Sequence, residues 1–354
     1  MAALAAALFT WVQVGQAGKE LRISTEGQIT NRFNTAVTNL GAPSLPVRVG
    51  GIYALGRIML DSPHDLPAVT SVLSAYIRDK APLPAKEPGQ STKESSPPAD
   101  VTAALTILAN RPGSNPVDLA NVNLRGLRKE SVLNAELALR NFQSADFSGS
   151  NLRDVDLDEF DFKYANFNDA NLSNAFLTRS DLSSCAGYGV NLTEVTLVGS
   201  NLSKANMDYA NLTDAVLSTA TYTIEWRTNG GPIQRAGSAN LTDAGLGGAN
   251  LTSADLRGVN LTRTKLMGAN LTDANLAGAT LRGADLTNDS VYGTTKLTRT
   301  SFKAADLRGA DLQGVDLRSA DLRGADLRGA RLAGALLRGA KVDKRTRGVP
   351  ASAV

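Results

Sequence analysis

The sequence predicts a mainly β protein, a long solenoid preceded by a small α-helical region. Three observations carry this prediction. A large apolar residue recurs every five positions over about two thirds of the 354 residues. Ala and Leu together supply more than a quarter of the chain, while aromatic residues make up only 5%. Ile is common at the front and then vanishes: six of eight lie before residue 108, and Ile224 and Ile233 stand close together beyond it. That shift marks a boundary near 110 and an interruption near 223–238.

The repeat is the strongest signal. From Leu137 the apolar phase runs through Phe142, Phe147, Leu152, Leu157, Phe162 and Phe167 to Leu217 and Tyr222. It walks back through Val132 to Leu127. It resumes at Leu241 and holds to Val291. A one-residue insertion then shifts it, and it continues from Leu297 to Val342. Gly187 is the clear gap at the central position. Two residues before each Leu or Phe sits a small residue, as at Ala145, Ala165 and Ala205, with Asn or Asp between. A period of five fits neither a 3.6-residue helix nor a continuous strand. Small–polar–large is nevertheless local alternation, with two side chains inward and one outward. The remaining two residues turn the chain. Short extended pieces joined by tight turns wind around an apolar axis, and stacked coils bond to one another like parallel strands. A crowded axis explains the choice of Ala and Leu.

The units A-D-L-R-G and A-N-L-T-D resemble those of pentapeptide-repeat proteins. The resemblance implies a right-handed quadrilateral parallel β-helix with one pentapeptide per side and four per coil. The three runs hold 41 central positions, hence about ten coils and a rod of roughly 50 Å at the usual strand spacing. Leu119 and Leu124 begin a first, imperfect coil.

The front end reads as helices over 19–80, a HEAT-like region. Thr25 and Gln28 fit a capping box ahead of Ile29, Phe33, Val37 and Leu40. Val49, Ile52, Leu55 and Met59 form a second stripe, and Val69, Leu73, Tyr76 and Ile77 a third. Gly56 is expected to kink or weaken the second helix. Residues 81–99 are rich in Pro, Ser and Lys and read as a flexible linker. Asp100 is expected to cap a short helix over 100–112, which covers the open end of the rod. The rod then spans 113–222 and 239–347, divided by a loop or hairpin at 223–238 and followed by a tail at 348–354.

Residues 50–65 are similar to a segment that precedes the repeats in bacterial pentapeptide-repeat membrane proteins. Met1 to Val14 is almost wholly apolar but shorter than a bilayer span, and it lacks the basic region of a secretory signal. Two readings stand. Residues 1–18 are the end of a transmembrane anchor, with Lys19 and Arg22 placing the repeats on the cytoplasmic side of a bacterial inner membrane. Alternatively they form a helix packed on the protein or lying in an interface, and the chain is cytoplasmic. The resemblance favours the anchor.

Composition excludes several chemistries. One Cys and one His rule out a disulfide framework, a zinc finger and a multi-His centre. No nucleotide-binding, zincin or hydrolase motif occurs, so no catalytic residue, cofactor or metal is assigned. His64 reads as a capping or surface residue, and Cys185 as a buried thiol. The repeated Asn-Leu-Ser/Thr pattern at Asn171, Asn191, Asn201, Asn211 and Asn250 follows from the repeat, and these Asn side chains are expected to bond locally or between coils. The insertion carries the candidate partner contacts Trp226, Arg227 and Arg235; a loop packed on the rod is the other reading. Net charge is +3, too weak to imply nucleic-acid binding. It averages an acidic block at 137–222 (11 acidic, 5 basic) and a basic one at 297–354 (6 acidic, 12 basic). Two functions follow. One is a non-enzymatic scaffold for an unnamed protein partner, membrane-associated through the N-terminus. The other, implied by the resemblance, is a DNA mimic that binds DNA gyrase or topoisomerase and alters its quinolone sensitivity.

Overall fold

The computed structural model describes residues 26–84, 96–132, 139–218 and 237–350. Helices α1 (26–40), α2 (Leu45–Asp61), α3 (Leu66–Lys80) and α4 (Ala99–Ala109) come first, and a short α5 (Lys129–Val132) interrupts the first coil. The apolar stripes meet as their spacing requires. Ile52, Leu55 and Ile58 of α2 pack with Leu73 and Ile77 of α3 and Leu105 and Leu108 of α4, all fully buried. Among the described residues no helix is long and apolar enough to cross a membrane. Residues 1–18 lie outside them.

Two expectations for the helices are corrected. α2 runs unbroken through Gly56. A Cβ there would stand 2.6 Å from Ile107 Cδ1, so the glycine lets α4 approach α2 closely. Asp100 does not cap α4. Pro98 is the N-cap, and Asp100 lies buried inside the first turn. Its carboxylate accepts from Arg48 Nε and from the Tyr76 hydroxyl, both at 2.7 Å. Burial, then the bond to Asp100, pushes the Tyr76 hydroxyl up to about 12. Arg48 also donates to the Ala42 and Pro43 carbonyls, so one buried cluster joins α2, α3, α4 and the loop after α1.

The coils have four sides. Outward residues form parallel bridges to residues twenty positions on, as in Asn166 to Ala186 to Asn206 on the first side and Asn151 to Asn171 to Asn191 on the second. Asp156 to Phe176 and Asn141 to Asp161 belong to equivalent columns on the third and fourth sides. Each side contributes a single bridged residue, not a longer strand, because two of its five residues are spent on the turn. Backbone bonding runs both ways. Leu152 N–H donates forward to Asn171 O at 2.7 Å, while Asn171 N–H donates back to Ser150 O at 2.9 Å. Inside, Leu, Phe and Ala are buried coil after coil in one core continuous with that of the helices. The gap at Gly187 is filled from the next coil, where Met207 Sδ occupies the space a Cβ would need.

The phase of the repeat slips at places the sequence disguised. Arg128 pairs with Asp156, so the flanking Leu127 takes the small-residue position and not the central one. Val132 belongs to α5, in an excursion that lengthens the Asp118–Asp146 step to 28 residues. Val291 is not a core residue; it is 72% exposed. The shift beyond it is no single-residue insertion, because Asn270 bridges Lys296 and Asp273 meets Arg299 across 26 residues where 20 is usual. Asn201 bridges Asn240 across 39, a step that spans the expected insertion. It opens between Leu217 and Ala239, whose backbones bond directly at 3.0 Å.

The helical region seals the first coil. Ala81, at the start of the expected linker, is buried and accepts from Asn123 N–H at 2.8 Å. Pro82 bridges Val122. Arg111, just beyond α4, is fully buried and forms no ion pair among the described residues. Its guanidinium donates to the carbonyls of Leu108 and Asn115 at 2.9 Å, Gln143 at 2.9 Å, and Asn141. Burial lowers its pKa to about 10. One side chain thus ties the end of α4 to the edge of the rod.

Candidate functional surface

Each side ends in a turn closed by a bond such as Ala145 N–H to Phe142 O, with positive φ at the second turn residue, as at Ser144 (φ 55). Side chains at this position point away from the axis along the rod's edges. Left-handed backbone normally selects Gly or Asn. Here several large residues occupy it, among them Tyr164 (φ 61) and Tyr209 (φ 58).

The edge between the first and second sides is aromatic. Tyr188 and Tyr209 meet edge-to-face at 5.3 Å, and Tyr209 meets Tyr292 at 5.4 Å. Tyr292 arrives from the 288–293 excursion, which folds back along the rod as a strap. Asp289 and Gly293 exchange backbone bonds at 2.9 Å. The Asp289 carboxylate accepts from Val291 and Tyr292 N–H, and these bonds hold it below the ordinary carboxylate range. The Tyr292 hydroxyl donates to Asp208 at 2.8 Å, and the Tyr209 hydroxyl to Val291 O at 3.2 Å. The bond to Asp208 raises the Tyr292 hydroxyl to about 12. Gly247 and Gly268 make room for the ring and its backbone, since a Cβ at either would lie within 2.6 Å of Tyr292. The strap leaves Val291, Tyr188 and Tyr209 exposed on a fixed support.

The second side carries a polar ladder. Asn191 Nδ2 donates to Asn171 Oδ1 at 3.2 Å, and Asn270 Nδ2 to Asn250 Oδ1 at 3.3 Å and Thr252 Oγ1 at 2.9 Å. Each Oδ1 also accepts from the N–H two residues on, as at Thr193. Both expected roles of these Asn residues, local and between coils, are therefore present. In the late coils Asp and Arg two residues apart pair side by side: Arg318 to Asp316, Arg323 to Asp321 and Arg328 to Asp326, each with Nη2 at 2.6–2.7 Å. Pairing also runs between coils, with Asp306 bridged to Asp326 and Arg308 reaching Asp326 at 3.9 Å.

Trp226, Arg227 and Arg235 lie outside the described residues. His64 sits almost fully exposed in the turn before α3. Cys185 occupies the small inward position, and burial pushes its thiol up to about 12. Among the described residues no cluster of His, Cys, Asp and Glu is placed to hold a metal. Sequence reasoning missed the tyrosine edge. Its signal was present: Gly247, Gly248 and Gly268 crowd one corner, and Asp289-Ser290-Val291 lacks the Leu the repeat requires.

The pentapeptide-repeat family matches the chain in 8 copies, over residues 141–179, 188–221, 238–273, 249–288 and 300–339. Among solved structures, HetL, a pentapeptide repeat protein involved in heterocyst differentiation regulation from the cyanobacterium Nostoc sp. strain PCC 7120, is 29% identical, with 66% of this chain and 90% of that one covered and a TM-score of 0.36. Full-length QnrB1, a plasmid-mediated fluoroquinolone resistance protein, is 18% identical, with 58% and 84% covered and a TM-score of 0.30. A pentapeptide repeat protein from the Arabidopsis thaliana thylakoid lumen is 30% identical, with 36% and 65% covered and a TM-score of 0.21. No curated protein matches the sequence closely enough to count as a relative. Family membership carries with it a right-handed β-helical winding for the coils. The five-residue repeat, the four-sided coils and the matched segments between 141 and 339 together make this chain a member of the pentapeptide-repeat family.

Proposed function

We propose that the chain is a non-enzymatic scaffold that offers a protein partner a rigid edge on a rod of about ten coils, roughly 50 Å long. One observation carries the reading: Tyr188, Tyr209 and Val291 are exposed together on a surface locked by the strap. Large aromatic residues on a pre-organised support are typical anchors, because little side-chain freedom is lost on binding. Asp208 and Asp289 beside them favour an apolar partner segment carrying Lys or Arg. Trp226, Arg227 and Arg235 are a second contact in the same reading. Membrane association through residues 1–18, at a bacterial inner membrane with the rod cytoplasmic, rests on the apolar run Met1–Val14. The test is affinity capture from the native cell with wild type and with Tyr188→Ala/Tyr209→Ala. Loss of one reproducible partner from the variant, with coil stability unchanged, supports the edge; an identical set of captured proteins refutes it.

A second reading has its own observation. The coils over 139–218 carry 11 acidic and 5 basic side chains, the surface a DNA mimic of gyrase needs. Arg140 and Arg179 both pair with Glu159 in this block, which reduces its field. A gyrase supercoiling assay decides: no inhibition or protection at micromolar protein removes this reading.

A further inference from the structure

The outward positions of successive coils change character at the C-terminal end of the rod. In one coil they are Asp311, Asp316, Asp321 and Asp326. The residues bridged to them in the last described coil are Arg331, Leu336, Lys341 and Arg347. An acidic ring is thus followed by a mostly cationic one.

The acidic ring is already neutralised. Arg318, Arg323 and Arg328 pair with the Asp two residues before each, and Arg331 pairs with Asp311 at 2.7 Å. The remaining cations of the last coil have no such partners. Arg338, Lys341, Lys344 and Arg347 are exposed and form no ion pair among the described residues. Arg345 stands 3.7 Å from Asp343, the only acidic residue after Asp326. These charges run continuously from the corner beyond Leu336, across the third side and its corner, to the fourth. Leu336 itself is 48% exposed, and Leu332, Ala335 and Val342 on the axis are only partly buried. The last described coil is therefore a cationic rim beside apolar residues.

We propose that this coil is a docking face for an anionic lipid surface. Unpaired Lys and Arg side chains gain energy near anionic headgroups, and an adjacent apolar residue seats in the interfacial layer. The acidic flank of a second copy is a poorer match. Its carboxylates are spread over four sides, and several are bound in turns. The proposal goes beyond the scaffold reading and does not depend on residues 1–18.

The test is co-sedimentation of the full chain with vesicles of phosphatidylcholine alone and of phosphatidylcholine mixed with phosphatidylglycerol. An apolar N-terminal segment binds both, so the preference for anionic vesicles isolates the rim. Wild type is expected to prefer the anionic vesicles and to lose that preference as salt rises. The variant Arg338→Gln/Lys341→Gln/Lys344→Gln/Arg347→Gln is expected to lose it by about tenfold or more. These side chains hold no ion pair, so its thermal unfolding should match wild type. Leu336→Ser, a second variant, should weaken anionic binding while keeping its salt dependence. The proposal is overturned by wild type without anionic preference or by equal preference in wild type and the quadruple variant. It is also overturned if wild type self-associates without lipid and the variant does not, which assigns the rim to a second copy.

Discussion

The coils from Phe142 to Leu217 and those from Leu297 to Ala340 share one backbone and differ in nearly everything attached to it. The early coils fill the axis with Phe142, Phe147, Phe160, Phe162 and Phe167, and Phe147 stacks on Phe167 at 5.3 Å. The late coils fill it with Leu and Ala around Phe302. Early corners hold Asp154, Glu159, Tyr164, Asp169 and Arg179 at positive φ; late corners hold Gly309, Gly314, Gly324 and Gly329. A side chain in that conformation costs roughly 1–2 kcal/mol unless it is Asn or Asp. The early coils bear that strain and gain outward groups, including the tyrosine edge. The late coils take Gly at most of these corners, Arg299 and Ala304 excepted, and neutralise their own Asp with Arg. The first region is built to present chemistry, the second to be regular.

The largest expected effect tests how far the two regions are independent. Arg111→Met removes the donor to four carbonyls at the capped end and should cost about 3–5 kcal/mol. Hydrogen exchange should show early amides such as Asn141 and Asp161 losing protection while Asp321 and Leu322 keep theirs. Uniform loss along the rod would mean that the coils fold as one unit and that the contrast is superficial.

The next effect concerns the corners. Gly309 has φ +67 and nothing within 4 Å of where a Cβ would sit. Gly309→Ala therefore isolates backbone strain and should lower stability by about 1–2 kcal/mol in denaturant unfolding. Lys204 has φ 59, and Lys204→Gly should be neutral or stabilising by up to about 1 kcal/mol, as relieved strain offsets a freer unfolded chain. Destabilisation of equal size by both changes would show that the early corners are not strained.

The smallest effect is electrostatic. The hydrogen bonds from Arg323 and Arg328 lower Asp321 and Asp326 to about 2 from an ordinary 3.8. A depressed carboxylate stabilises the fold above its unfolded pKa, and that share disappears as pH falls from about 4 towards 2. The guanidinium groups of these pairs are exposed, so Arg323→Gln/Arg328→Gln should lower stability only slightly at pH 7. The wild-type thermal midpoint should fall further than the variant's between those pH values. Parallel curves would show that the pairing adds nothing.

The winding was legible because it rests on a direct regularity: two inward side chains and a turn in every five residues. The excursions were harder to read. Leu127 is as large and apolar as a central residue, and a central Val at 291 satisfies the same count, so periodicity alone hides a slip of phase. Gly56 looked like a weakness because propensity ignores what packs against a helix. Arg111 gave no signal, since a buried Arg that serves only carbonyls has no partner motif in the sequence. The tyrosine edge joins residues 82 and 84 positions apart, and that proximity exists only once the strap is seen to fold back.

The steady twenty-residue step between bridged positions also shapes how the rod assembles. Each added coil closes a loop of the same modest length, so the entropy lost per coil barely changes along the chain. Three steps are longer, across 28, 39 and 26 residues, and the first of them begins the rod. That step runs from Asp118 to Asp146 and lies against the helices that Arg111 holds in place. Assembly then has the character of templated growth: a slow start at the helical end, followed by fast addition of coils, each presenting a ready edge to the next.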